Sequence, residues 1–462
     1  MRQSLVDILT TKKFQNKKVL IMGLGLHGGG VGAAKFFVSV GARVTVTDLR
    51  TKKQLGKSFG KLKGLPIKYV LGKHQGKDFA RADLIIRNPA VPDDSPYLKI
   101  ARKHNVPIDT DVGIFFATLR AATLRAELCP AQVIGVTGTR GKSTTATLIY
   151  ELLKTRYKNV VLAGNIRKSV LLELPRLTKK SIVVLELSSW QLEGLQKHKK
   201  SPHIAVVTTI LPDHLNRYKN MRGYINAKKI IFKYQTPDDY LFLNKNDKIV
   251  SGFAGEAVSK TVFFRSGDAR KYQTNLPGKH NLANIAAAVK VARHFDVPEI
   301  NIQKTLRKFS GLGGRMEFVL EANGVKYIND TCATTPDAAI AAIITITNQL
   351  ARGGNLFLIA GGADKKLDFK GLARLVAKKV RAVILLPGTA TEKLEKTIRA
   401  EIRNKKLKIQ RADNMKKAVR AATAYAKRGD AVLLSPACAS FGLFRHEFER
   451  GDEFKKAARA LK

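Results

Sequence analysis

The chain has 462 residues, 44% hydrophobic and 26% charged, with 83 Lys and Arg against 36 Asp and Glu for a formal net charge of +47. At roughly 100–200 residues per domain this suits two to four globular domains. No apolar run approaches the ~18 residues of a membrane span, and the opening MRQSLVDILTTKKF reads as too short of apolar residues for a secretory signal.

A cytoplasmic protein is therefore expected. Cys129, Cys332 and Cys438 stand far apart with no C-x-x-C, which argues against a disulfide framework or a zinc site and for reduced, packed thiols. The basic residues are spread along the whole chain, and no RNP or zinc-finger pattern accompanies them. The charge reads as a solvated surface that favours anionic substrates, with nonspecific nucleic-acid binding at low salt as a side effect.

In chain order, Lys18–Met22 predicts a short buried strand. It runs into Gly23-Leu-Gly25-Leu-His-Gly28, then a helix over Ala33–Val40 and a strand over Ala42–Asp48. This is a βαβ unit with a G-x-G-x-x-G turn, and Asp48 falls about 20 residues past it, where a ribose-binding acid belongs. Alone, the pattern means a dinucleotide or a nucleotide-sugar.

A second block starts near Pro130. Gln132–Val136 predicts a strand and Thr144–Thr155 a helix, and between them lies the loop of GVTGTRGKSTT. The usual phosphate loop, G-x-x-x-x-G-K-[ST], wants glycine where Val136 stands; here the glycines fall at 135, 138 and 141. Strand, glycines, Lys142, Ser143 and helix still make a phosphate cradle, with Lys142 on the phosphates and the Ser143 hydroxyl on Mg2+. Strands at Ile182–Leu185 and Ile204–Ile210 end in Glu186 and in Asp213-His214. Parallel sheets bind ligands at the carboxyl ends of their strands, so Glu186 reads as a Mg2+ ligand and His214 as a neighbour of the metal or the transferring phosphoryl group. Lys228 reads as a solvated helix lysine.

A third block starts near Gly313, with strands at Val325–Asn329, Leu356–Ala360, Ala382–Leu386 and Ala431–Leu434. The expected fold is α/β with three domains: an N-terminal Rossmann-like domain (1–128), a central P-loop ATPase-type parallel-sheet domain (129–312) and a C-terminal Rossmann-like domain (313–462). Segments near Ala126–Pro130 and Ser310–Gly314 are the expected hinges.

Several stretches together resemble one family. G-x-x-G-T-x-G-K-S-T, G-N-I, L-E-L-S-S-x-Q-L, D-H-x-x-R-Y and Y-x-x-A-K are similar to the Mur ligases, which carry the shifted glycine spacing. GKHNLANIAAA, GRMEFV, INDT-x-AT, LLSPACAS and F-x-R-G-x-x-F resemble the family's D-glutamate-adding branch, in the right order from about residue 18 to 455.

The resemblance implies an ATP-dependent, amide-forming ligase of peptidoglycan precursor synthesis, adding D-glutamate to UDP-N-acetylmuramoyl-L-alanine through an acyl phosphate. It implies catalytic roles for Lys142, Glu186, His214 and Lys228. Mg2+ would be held by Ser143, Glu186, His214 and Lys228, the last as its carbamate. ATP would lie on Gly138, Thr139, Gly141, Lys142, Ser143, Thr144, Asn281, Asn284, Arg315 and Asp330. The UDP-substrate would take Leu26, His27, Asp48, Arg50, Asn165, Ser188 and Gln191, and glutamate Thr334, Lys365 and Ser440. Small-molecule substrates and a monomer are expected.

Two positions depart from the family pattern: Cys332, where lysine is common, and Glu447, where an aromatic is usual. Ligation of L-glutamate, or another Mur or folylpolyglutamate-type reaction, are the sibling alternatives. An oxidoreductase would use the first block but leave Lys142 and Glu186 idle. A basic nucleic-acid-binding protein is the remaining alternative class.

Overall fold

The computed structural model describes residues 11–123, 131–215, 217–402 and 407–461. The first sheet is built from β1 (Lys18–Met22), β2 (Arg43–Asp48), β3 (Ile67–Leu71), β4 (Leu84–Arg87) and β5 (Ile108–Asp109). Its order is β3-β2-β1-β4-β5 and every pairing is parallel. Strands covered on both faces read as unbroken apolar runs, which is why Val19–Met22 is buried at every residue. The helix α1 (Gly29–Ser39) starts four residues earlier than its sequence pattern suggests. Gly29 and Gly30 are weak helix formers, but they occupy a first turn whose start is fixed by the end of β1.

The second sheet holds β6 (Gln132–Thr137), β7 (Val160–Gly164), β8 (Ile182–Glu186), β9 (Ile204–Val207), β10 (Tyr240–Asn244) and β11 (Lys260–Phe264). Its order is β11-β10-β9-β6-β8-β7, again all parallel. β6, which feeds the phosphate loop, is therefore central, between β9 and the strand that ends in Glu186. The helix α2 runs Lys142–Leu153 rather than Thr144–Thr155, because Gly141 turns left-handed and caps it at once. β9 stops at Val207 rather than Ile210: Thr208 N still donates to Thr137 O at 3.0 Å, but the Thr208 hydroxyl turns to Arg140 O of the phosphate loop and Ile210 N donates to Asp247 Oδ2 at 2.8 Å.

The third sheet holds β12 (Glu317–Ala322), β13 (Val325–Asn329), β14 (Leu356–Ala360), β15 (Ala382–Leu385), β16 (Lys408–Arg411) and β17 (Ala431–Leu434), in the order β12-β13-β17-β14-β15-β16. It is mixed: β12 lies antiparallel on β13 and the other pairings are parallel. β12 and β16 are the two edges. Charged residues interrupt both, so neither shows as an apolar run in the sequence. Alternate residues of the inner strands serve two cores. Ile328, Leu358, Val383 and Leu433 pack on one face, and Tyr327, Phe357, Ile384 and Val432 on the other.

The chain forms two compact units. One comprises the residues up to Ile210 with Arg222–Arg265 and Asn284–Ile302, and so carries the first two sheets; the other comprises Leu211–Met221, Ser266–Ala283 and everything from Gln303, and carries the third. Among the described residues no helix is long and apolar enough to cross a membrane. Cys332 and Cys438 are free thiols, and burial pushes the Cys438 thiol up to about 12. Cys129 and the hinge expected near Ala126–Pro130 lie outside the described residues.

Candidate active site

In the first unit the three glycines of the loop divide their work. Gly135 lies inside β6, where a methyl group would come 2.5 Å from Pro202 Cγ; its absence lets the chain pack there. Gly138, at φ 148°, and Gly141, at φ 84°, shape the loop itself. A methyl at Gly138 would also sit 2.0 Å from Thr208 Oγ1. That hydroxyl donates to Arg140 O at 2.5 Å and Thr137 O at 3.1 Å, while Thr139 N donates to Thr209 O at 2.6 Å. The loop is thus laced to the end of β9 and opens onto the N-terminus of α2, where backbone N–H groups and the helix dipole favour anions.

A Gly138→Ala substitution is expected to raise the KM for ATP at least roughly tenfold, because it strains φ and displaces Thr208. ADP formation as a function of ATP concentration measures this; an unchanged KM would contradict it.

Two ammonium groups converge on this loop. Lys142 Nζ donates to Gly138 O at 2.9 Å and Thr139 O at 3.1 Å, and Lys228 Nζ donates to the same Gly138 O at 2.8 Å. Lys228 is 2% exposed and lies over the Tyr224 ring, 4.7 Å from its centroid. The reading of Lys228 as a solvated lysine is corrected: it is on the buried side of the helix α3 (Met221–Lys233) and points at the phosphate loop. Tyr224, one turn earlier, also reaches the loop, its hydroxyl 3.1 Å from Thr139 Oγ1. Ser143 and Thr144 are buried in the first turn of α2, and Thr145 Oγ1 donates to Asn284 Oδ1 at 3.4 Å.

Glu186 ends β8 and pairs in register with Val136 of β6. It is 2% exposed, its Oε1 accepts from Asn165 Nδ2 at 2.9 Å, and its Oε2 is buried with no hydrogen-bond partner. A buried carboxylate oxygen left unmet is costly, and a cation is what it suits. The described residues hold no group of three or more His, Cys, Asp and Glu that could chelate a metal by themselves.

The residues expected to meet a UDP-substrate also have local partners. Asp48 is buried; its Oδ2 accepts from Gly25 N at 3.1 Å and its Oδ1 from Arg50 N at 2.9 Å, so it braces the glycine turn. Leu26 is half-buried and His27 and Arg50 are exposed beside it. Ser188 and Gln191 form a reciprocal cap at the start of the helix Ser189–Glu193, and Asn165 is held on Glu186.

The remaining expected residues belong to the second unit. Thr334, Lys365 and Ser440 follow β13, β14 and β17, three adjacent strands. Their loops are tied by Ala437 N to Ala333 O at 2.9 Å and by the paired backbone of Ala363 and Ala439. Lys365 Nζ donates to Thr334 Oγ1 at 3.1 Å and to Asp213 Oδ1 at 3.2 Å. His214 has a left-handed backbone, φ 56°, and its Nε2 is 3.8 Å from Asp213 Oδ2. Asp330 accepts from Ser435 Oγ at 3.0 Å and Met316 N at 3.2 Å, and Asn281 Nδ2 donates to Pro277 O at 2.7 Å. Arg315 lies near enough to Cys332 to favour its thiolate, but burial dominates and pushes that thiol up. Cys332 and Glu447, the two departures, meet at one loop: Thr331 Oγ1 donates to Glu447 O at 2.6 Å.

Sequence reasoning missed Thr208, Tyr224 and Asp213. Tyr224 and Asp213 each sit inside a motif it quoted, Y-x-x-A-K and D-H-x-x-R-Y, beside the residue it chose instead.

Residues 17–110 match the N-terminal domain described as Mur ligase MurD-like, residues 136–292 the Mur ligase middle domain, and residues 314–438 the Mur ligase glutamate ligase domain. The UDP-N-acetylmuramoylalanine–D-glutamate ligase of Roseiflexus sp. (strain RS-1) is 43% identical, over 95% of this chain and 98% of that one. The enzyme of that name from Acetivibrio thermocellus is 34% identical, over 97% and 98%. Among solved structures, the UDP-N-acetylmuramate-alanine ligase MurC of Thermotoga maritima superposes with a TM-score of 0.66 at 18% identity, covering 97% of this chain and all of the other. The MurF ligase of Thermotoga maritima in complex with ADP gives 0.57 at 17% identity over the full length of both. At such identities these two establish a common fold.

Proposed function

The chain belongs to the Mur ligase family, and from that premise we infer that it is an ATP-dependent UDP-N-acetylmuramoylalanine–D-glutamate ligase of peptidoglycan precursor synthesis. The observation that carries this reading is full-length kinship, 43% over 95% of the chain, with an enzyme of that name. The geometry supports it with a phosphate loop in the first unit and three strand-end loops bearing Thr334, Lys365 and Ser440 in the second.

ATP is a substrate here. Its γ-phosphoryl group passes to the free carboxylate of UDP-N-acetylmuramoyl-L-alanine, with loss of ADP. The glutamate ammonium first gives up a proton to solvent; its neutral amine then attacks the acyl phosphate carbonyl, the C–O bond to phosphate breaks with phosphate leaving, and the new amide nitrogen sheds its second proton. Such transfer asks mainly for positioning and charge neutralisation. Lys142, on the loop and at the start of α2, neutralises phosphate oxygens, and the loop amides from Gly138 to Thr144 cradle them. Asn281, Asn284, Arg315 and Asp330 serve ATP. Leu26, His27, Asp48, Arg50, Asn165, Ser188 and Gln191 serve the UDP-substrate, and Thr334, Lys365 and Ser440 the glutamate.

Glu186, Ser143 and His214 would hold Mg2+, which when bound supplies Lewis-acid charge to the phosphates. Lys228 would join them as a carbamate; carbamylation would replace the ammonium now donating to Gly138 O with an anion.

The domain limits are proposed as 1–128, 129–312 and 313–462. A cytoplasmic monomer is proposed as well. Binding to nucleic acid, where it occurs, is a salt-sensitive effect of the +47 charge.

The acyl phosphate is the testable step. With ATP, Mg2+ and UDP-N-acetylmuramoyl-L-alanine but no glutamate, hydroxylamine is expected to trap a hydroxamate of the UDP-substrate, visible by mass spectrometry. ADP formed without any hydroxamate would count against this route.

A further inference from the structure

The second unit holds a partly buried charge pair that the roles given to its residues leave half explained. Lys365 and Asp213 side chains are 16% and 4% exposed, with Nζ and Oδ1 3.2 Å apart. Lys365 Nζ also donates to Thr334 Oγ1 at 3.1 Å. Asp213 Oδ1 accepts from His214 N at 2.8 Å, which fixes the carboxylate against its own backbone. An ion pair taken this far out of water is weak evidence for stability, because desolvation offsets most of the attraction. A pair kept at such a place, among the loops after β13, β14 and β17, asks for another reason.

We propose that Asp213 receives the α-ammonium group of the incoming amino acid while Lys365 receives its carboxylate, so that the pair recognises a zwitterion. The inference rests on the ligase reading above. An α-amino acid carries both charges on one carbon, separated by about the length of an ion pair. The Lys365–Asp213 pair presents the complementary charges at a matching distance. Each protein charge can exchange its partner for the opposite charge of the substrate, and no buried charge is left unmet. A lysine alone would leave the substrate ammonium without a partner in a poorly solvated place. An aspartate alone would repel the carboxylate. Thr334 Oγ1, already on Lys365 Nζ, adds a hydroxyl on the carboxylate side. Asp213 thereby holds the nitrogen that, once it has lost a proton to solvent and become the neutral amine, must attack.

The test compares D-glutamate with glutarate, the same molecule without its amino group. In the unaltered enzyme glutarate is expected to inhibit competitively against D-glutamate, with a Ki well above the KM. In Asp213→Asn the KM for D-glutamate is expected to rise roughly 10- to 100-fold, the worth of one charge-assisted contact, while the glutarate Ki stays within about threefold. In Lys365→Met both constants are expected to rise together. A merely structural Asp213 would weaken both ligands alike, and that result, or an unchanged KM for D-glutamate, overturns the inference while the ligase reading stands. Glutarate binding as tightly as D-glutamate to the unaltered enzyme also overturns it, with no variant required. No turnover of D-glutamate by the unaltered enzyme overturns the ligase reading and this inference with it.

Discussion

Replacing Lys142 with methionine is expected to lower kcat roughly 100- to 1,000-fold while the protein stays folded, the scale of losing one preorganised charge that faces a transferring phosphoryl group. Lys142 begins α2 directly after Gly141, so its side chain cannot stray far from the phosphate cradle. It donates to two loop carbonyls, Gly138 O and Thr139 O, and the first is shared: Lys228 also donates to it. Losing Lys142 therefore costs only about 1 kcal/mol of folding stability, since part of the carbonyl pairing survives. The two readouts separate the explanations. Turnover falling by orders of magnitude with a melting temperature lowered by a few degrees is expected. Turnover within about threefold of the unaltered enzyme would remove Lys142 from the chemistry.

The second large effect is at Glu186, and there activity and stability are expected to move in opposite directions. The carboxylate is buried, one oxygen holds Asn165 and the other has no hydrogen-bond partner. Glu186→Gln keeps an oxygen for Asn165 and removes the desolvated charge. Stability is expected to hold or to rise by about 1 kcal/mol, the usual direction when a functional site is relieved of a group retained for function. The kcat is expected to fall roughly 100-fold or more, with a higher Mg2+ concentration needed for half-maximal turnover. Thermal denaturation in a chelator reads the first quantity and a Mg2+ titration of ADP release reads the second. A variant that is both less stable and fully active would show that Glu186 belongs to the frame of β8 and not to the reaction.

Much of this was legible from the residues. Buried parallel strands are unbroken apolar runs, so Lys18–Met22 and Gln132–Val136 could be placed within a residue, and the groups at their ends followed. Lys142 and Ser143 were read from the glycine-rich loop that follows the second of these strands, and Glu186 from the end of the run Ile182–Leu185. The edges were not legible: β12 and β16 alternate or carry charge, and their strand character comes from the neighbour they pair with. Lys228 shows the sharper limit. Periodicity on α3 does not say that a lysine faces inward, because only the packing of the helix against the Gly138 loop decides it. The glycine spacing was visible as an anomaly, but the division between a packing glycine at 135 and loop glycines at 138 and 141 needed Pro202 and Thr208 in space. Asp213 stood beside His214 in plain sight. Its use depends on Lys365, 152 positions later, and no local pattern joins the two.

The central claim is the identity of the two substrates that are joined. The most direct measurement is phosphate release from ATP and Mg2+ with UDP-N-acetylmuramoyl-L-alanine, run with D-glutamate, with L-glutamate and with no amino acid. Release that requires D-glutamate is the expected result, and it would show that Cys332 and Glu447 are tolerated at the loop where they meet. Release with L-glutamate alone, or none with either, would contradict the account.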